Sequence, residues 1–176
     1  MVPADSGDFK DYEAYGVEDP RITYLEGSYW ITYSAYSRYG VRIGLAKTSD
    51  FKTVERVALI SDCDMRNCVL FPEKINGLYV RFDRPHTELI PYSMWISFSK
   101  DLVHWGNSKV VIQPKTYHWT SMKVVPGAPP IKTNKGWLNI FHGVYPTMDG
   151  AVYRMGVALH DLKDPSKLIG VSDEWI

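Results

Sequence analysis

The chain has 176 residues, 45% of them apolar, with 20 Lys plus Arg against 20 Asp plus Glu. That length can bury one sizeable core, and a formal charge of zero removes the long-range field that draws proteins to nucleic acid or anionic membranes. No apolar run reaches the length of a membrane span, and the start, Met1-Val-Pro-Ala-Asp-Ser-Gly-Asp8, lacks the basic and apolar regions of a secretory leader. The expected setting is therefore the cytoplasm, with Cys63 and Cys68 as ordinary thiols, since their spacing matches no zinc pattern.

In chain order, Gly16-Val-Glu-Asp-Pro-Arg21 comes first. Pro20 should push Asp19 into an extended conformation at the entry to a strand. A hairpin follows over Arg21 to Tyr33, turning at Gly27, where glycine suits a positive φ. The alternating run Val41 to Phe51 then ends in a turn at Asp50. The same design recurs twice. A second hairpin spans Phe71 to Phe82 with its turn at Gly77, and the strand from Met94 runs into a turn at Asp101. A third spans Pro130 to Phe141 with Gly136, and the strand from Met155 runs into Asp161. Polar turns and edge strands such as Lys109-Val-Val-Ile-Gln113 close the units.

Four short strands per unit of roughly fifty residues, with no amphipathic helix, predict an all-β chain of propeller blades. We place them at about 18–62, 68–115 and 124–172. Propellers close with about four to eight blades, so about three leave two apolar faces open. A piece of a longer protein is expected, or a ring completed by another chain as a homo-oligomer. The ending, Asp173-Glu-Trp-Ile176, reads as no natural stop.

Polar clusters lie close to the strand ends. Arg66 and Arg84 flank one hairpin and could share an anion; equally they could be solvated, or paired with Glu73 and Asp83. Lys123 is a further cation with the same two readings. His142 and Tyr153 each accompany an apolar strand, where a structural role competes with a functional one. Pro126-Gly-Ala-Pro-Pro-Ile131 is stiff apart from Gly127. His104 and Trp105 read as structural. No Gly-rich phosphate loop, nucleophile elbow or metal-binding histidine cluster is present.

Taken in order, Gly16-Val-Glu-Asp-Pro-Arg21, Arg66-Asn-Cys-Val-Leu-Phe-Pro-Glu-Lys74, Arg84-Pro85, Gly127-Ala-Pro-Pro130 and Phe141-His-Gly143 resemble glycoside hydrolase family 130, the β-mannoside phosphorylases and related mannosidases. The resemblance implies a five-bladed β-propeller. It implies Asp19 as general acid, with Arg66, Asn67, Arg84, Lys123, His142 and Tyr153 binding phosphate and substrate. Arg66-Asn67 and the run Tyr79 to Pro85 point, within the family, to the branch acting on β-1,4-mannosyl-glucose. The implied reaction is inverting phosphorolysis to α-mannose 1-phosphate and glucose, with inorganic phosphate as co-substrate and no metal or other cofactor. Hydrolysis of β-mannosides is the alternative within the family. A non-catalytic carbohydrate-binding piece is the alternative outside enzymology, and a protein-interaction propeller gives no reason for the ordered polar clusters.

Overall fold

The repeated aspartate turns show how the sequence sets the strand ends. In a computed structural model describing residues 7–86 and 91–176, each of the three aspartates caps its loop in the same way. Asp50 Oδ1 accepts from the Lys52 and Thr53 amides at 2.8 and 2.9 Å. Asp101 Oδ1 accepts from Val103 and His104 at 2.9 and 2.8 Å. Asp161 Oδ1 accepts from Lys163 and Asp164 at 2.9 and 2.8 Å. These amide donors hold all three carboxyls below the usual range.

The hairpin turns follow the same economy. Glu26 and Gly27 take φ of 50° and 81°, and Asn76 and Gly77 take 52° and 79°. Two consecutive positive values are the requirement of a tight hairpin whose twist matches its strands.

Thirteen strands result, with no helix among the described residues. The first sheet is β1 (Gly16–Leu25), β2 (Ser28–Ser37), β3 (Gly40–Thr48) and β4 (Glu55–Leu59), antiparallel in sequence order. The second is β5 (Met65–Leu70), β6 (Tyr79–Pro85), β7 (Met94–Ser99) and β8 (Trp105–Ile112). The third contains β9 (Lys123–Pro126), β10 (Ile131–Lys132), β11 (Trp137–Thr147), β12 (Gly150–His160) and β13 (Leu168–Val171). Up-and-down sheets stacked face to face are propeller blades, and the architecture is of the five-bladed type with three blades in this chain.

The third blade departs from four strands because its inner strand is broken. Both β9 and β10 pair with β11, on either side of Gly127 to Pro130. The prolines there have no N–H to give the ladder. Gly127 passes so close to β11 that a Cβ would lie 2.5 Å from the Ile140 carbonyl oxygen.

Two seams hold the blades together. Leu25, Ile43, Leu45 and Ile60 of the first blade pack on Cys68, Leu70, Tyr79 and Leu102 of the second. Thr23 and Thr32 hydroxyls donate across this seam to the Leu70 and Cys68 carbonyls at 3.2 and 2.6 Å. Burial drives the Cys68 thiol up to about 12, so it stays protonated, while Cys63 is exposed. The second seam carries the largest apolar residues. Phe71 meets Phe82 and Trp137 edge-on at 4.8 and 5.2 Å, all three being fully buried. Each end blade keeps an uncovered face, with Ile22, Tyr24 and Phe51 exposed on the first and Ile131 and Met155 on the third.

His160 lies in the second seam, 4.8 Å from the Phe82 ring, with Nδ1–H donating to the Pro165 carbonyl at 2.9 Å. Burial pulls its pKa down to about 4. An unfolded histidine titrates near 6.5, so between those values the unfolded state binds the extra proton and stability rises with pH. The protein should therefore lose about 3 kcal/mol from this group as pH falls from about 7 to 4. The three loop aspartates act mostly below that window, their contribution beginning to fall at about pH 5 and being lost as pH drops through their depressed values. Denaturant titrations at several pH values would show this slope, to which His142, also held at about 4, adds its own share. His160→Asn should make it shallower by the His160 share, and an unchanged slope would mean other groups set the acid response.

Candidate active site

The inner strands carry two irregularities at matching places. In β1 the register with β2 shifts between Glu18 and Arg21, and in β5 the register with β6 shifts between Arg66 and Val69. Asp19 sits in the first bulge with φ of 53°, and Asn67 in the second with φ of 56°. This corrects the expectation that Pro20 holds Asp19 extended: the bulge places it in the left-handed region, which Asp and Asn tolerate better than other side chains. Asp19 and Asn67 consequently lie within strands rather than at their ends.

All seven residues singled out in the sequence meet in one cavity of about 300 Å³. Asp19, Arg66, Asn67, Arg84, Lys123, His142 and Tyr153 line it together with Arg21, Tyr36 and Val125. Four cations therefore surround one carboxylate in a chain whose formal charge is zero. Arg66 and Arg84 are direct register partners across β5 and β6, closer than flanking a hairpin suggested. His142 sits inside β11 rather than at a strand end, opposite Val125, and Tyr153 lies within β12.

The alternative ion pairs for the arginines are not formed. Asp83 pairs with Arg81 at 2.7 Å, and Glu73 pairs with Lys132 at 2.5 Å. Among the described residues no carboxylate lies within ion-pair distance of Arg66 or Arg84. Arg84 is 3% exposed, and among the described residues its Nε and Nη1 have no hydrogen-bond partner; neither does the buried Nε of Arg66. Aromatic faces cover both, with Tyr36 5.2 Å from Arg66 and Tyr92 5.2 Å from Arg84. Burial, with Arg66 alongside, pulls the Arg84 guanidinium down to about 10. A buried, donor-only group with idle N–H bonds is a receptor for an anion.

The remaining contacts fix the other walls. Asn67 Nδ2 donates to Asp19 Oδ2 at 2.9 Å, and Arg84 Nη2 donates to Asn67 Oδ1 at 3.2 Å. Lys123 donates to the Tyr153 hydroxyl at 3.1 Å, and the His142 and Tyr153 rings lie 5.6 Å apart. Burial, then the charges of Arg21, Lys123 and Arg84, hold His142 at about 4, so it is neutral at neutral pH. Burial likewise raises the Tyr36 hydroxyl, keeping it protonated.

Sequence reasoning gave no role to Arg21 or Tyr36. Arg21 reaches from the first blade to the third, its Nε donating to the Gly127 carbonyl at 2.7 Å. Its place directly after Asp19-Pro20 was an available signal. Tyr36 is brought in only by the pairing of β1 with β2, opposite Gly16. Among the described residues, no group of three or more His, Cys, Asp and Glu is arranged to hold a metal, and no helix is long and apolar enough to cross a membrane.

Propeller blades enclosing an acid and a cluster of cations define a class, a β-propeller with an anion-accepting cavity at its inner strands. Comparison with known proteins narrows it. The family model described as β-1,4-mannooligosaccharide phosphorylase matches residues 8–176. A 1,2-β-oligomannan phosphorylase of Thermoanaerobacter sp. is 38% identical over 169 residues, covering 94% of this chain and 54% of the relative. A 4-O-β-D-mannosyl-D-glucose phosphorylase of Bacteroides fragilis is 34% identical over 134 residues, covering 72% of this chain and 34% of the relative. The β-1,2-mannobiose phosphorylase of Listeria innocua, solved with β-1,2-mannobiose, superposes with a TM-score of 0.88 at 34% identity, covering 94% of this chain and 46% of that one. The chain belongs to glycoside hydrolase family 130. It spans about half the length of the relatives it matches.

Proposed function

We propose that the protein is an inverting β-mannoside phosphorylase, and the observation that carries this is the buried Arg84 guanidinium with two idle nitrogens in the same cavity as Asp19. Inverting hydrolysis needs two carboxyl groups, an acid and a base that activates water, about 6.5–9.5 Å apart. Asp19 is the one carboxylate lining this cavity among the described residues, while the cations number four. Phosphate needs no base, because it arrives already anionic. It needs cations to bind it and fix its angle of attack.

In the proposed step a phosphate oxygen attacks the anomeric carbon from the α face as the bond to the β-linked oxygen breaks. Asp19 supplies the proton that ends on the leaving oxygen. Arg66, Arg84 and Lys123 hold the phosphate, and His142 and Tyr153 complete its wall. The products are α-mannose 1-phosphate and the released sugar, a glycosyl transfer to phosphate in the cytoplasm with no further cofactor.

The proposed substrate is β-1,4-mannosyl-glucose, on the strength of Arg66-Asn67 and the Tyr79 to Pro85 run. A β-1,2-mannoside is the second reading, favoured by the names of relatives at 38% and 36% identity. Incubation with each disaccharide and phosphate separates them: glucose release from the mannosyl-glucose alone supports the first, and mannose 1-phosphate from β-1,2-mannobiose alone overturns it.

A further inference from the structure

We infer that Asn67 is a positioning residue, its amide orienting the Asp19 carboxylate while being held in turn by Arg84. This rests on the reading of Asp19 as the acid and Arg84 as an anion ligand. The two bulges make it possible. Each turns a side chain out of the inner strand at the same level of adjacent blades, and the left-handed backbone at both Asp19 and Asn67 shows that ordinary strand geometry was not kept. Strain of that kind persists where the surroundings over-determine it.

The amide orientation follows from chemistry. Arg84 carries only donors and an ionised Asp19 only acceptors, so Asn67 must point Oδ1 at the guanidinium and Nδ2 at the carboxylate. Asn67 is 7% exposed and Arg84 is 3% exposed, so neither rotates freely into water. With Nδ2–H already on Oδ2, the acid form of Asp19 carries its proton on Oδ1. The chain of contacts thus selects one carboxyl oxygen as the proton donor. It also ties that choice to the guanidinium that receives the anion.

Two substitutions separate this role from direct phosphate binding. Asn67→Gly suits φ of 56° without steric strain and removes the amide together with its short methylene stem. Asn67→Asp keeps the shape but sets a second carboxylate between Asp19 and Arg84. For Asn67→Gly, kcat should fall about 100-fold, the penalty of a misplaced acid, with KM for the mannoside and the dissociation constant of inorganic phosphate little changed. For Asn67→Asp, calorimetric affinity for phosphate should drop about 10-fold or more, because the new carboxylate occupies Arg84.

Unchanged kcat in Asn67→Gly would overturn the inference. So would an equal loss of phosphate affinity in that variant, which would make Asn67 a direct ligand. If the wild type cleaves mannosides without phosphate, the phosphorylase reading fails, yet the kcat of Asn67→Gly still decides the positioning role. If the wild type binds phosphate without turnover, retained binding in Asn67→Gly and lost binding in Asn67→Asp support the arrangement, and any other pair of results contradicts it.

Discussion

Asp19→Asn is expected to reduce turnover by about 10³-fold or more, with a melting temperature within about 2 °C of wild type. The two outcomes come from separate features of one position. Asp19 is exposed at the cavity and contributes no apolar packing, so its removal leaves the seams intact. Asparagine also tolerates φ of 53° and can still accept from the Asn67 amide, so the bulge survives. What it lacks is an acidic proton to transfer. Steady-state rates beside thermal unfolding would check both halves. A drop of many degrees would mark Asp19 as a structural residue whose loss disturbs the strand, and retained turnover would move the acid elsewhere.

Arg84→Met should abolish phosphate binding and raise the melting temperature of the phosphate-free protein. The cause is the cost of holding a charge in a buried site beside Arg66, which pulls the Arg84 guanidinium well below its usual value, to about 10. A displacement of that size corresponds to about 3 kcal/mol of unfavourable electrostatics that no carboxylate among the described residues offsets. That exceeds the contribution, about 1 kcal/mol, of the Asn67 hydrogen bond that the substitution removes. Methionine fills similar volume without the charge, and the face of Tyr92 remains as a packing partner. Wild type should gain stability from millimolar phosphate, through preferential binding to the folded state, and the variant should not. Thermal scans with and without phosphate test this. If the variant were less stable without phosphate, the guanidinium would be structural, and if phosphate still stabilised it, Arg84 would not be an anion ligand.

The blade plan was legible because its signals are local. Gly27, Gly77 and Gly136 mark turns, and Asp50, Asp101 and Asp161 mark loops whose amides the carboxylate can cap without help from the rest of the fold. The break between β9 and β10 was less legible. Prolines announce it, but its purpose depends on a close approach to Ile140 and on Arg21 arriving from another blade. The polar clusters supplied the cavity residues through family resemblance, not through spacing. Spacing alone left Arg66 and Arg84 equally readable as solvated or ion-paired, and only the folded sheet shows Asp83 and Glu73 already engaged with Arg81 and Lys132. The bulges were hidden altogether. A left-handed Asp before proline contradicts the local preference, and it is the pairing of β1 with β2 and the contact with Asn67 that impose it.

The proposed role of the cation cluster is to hold phosphate for attack on a mannoside. Following the reaction of the protein with β-1,4-mannosyl-glucose by ³¹P and ¹H NMR tests it most directly. The arrangement of Arg66, Arg84 and Lys123 around Asp19 predicts α-mannose 1-phosphate, formed only when inorganic phosphate is supplied and in step with glucose release. Free mannose appearing at the same rate without phosphate would contradict it.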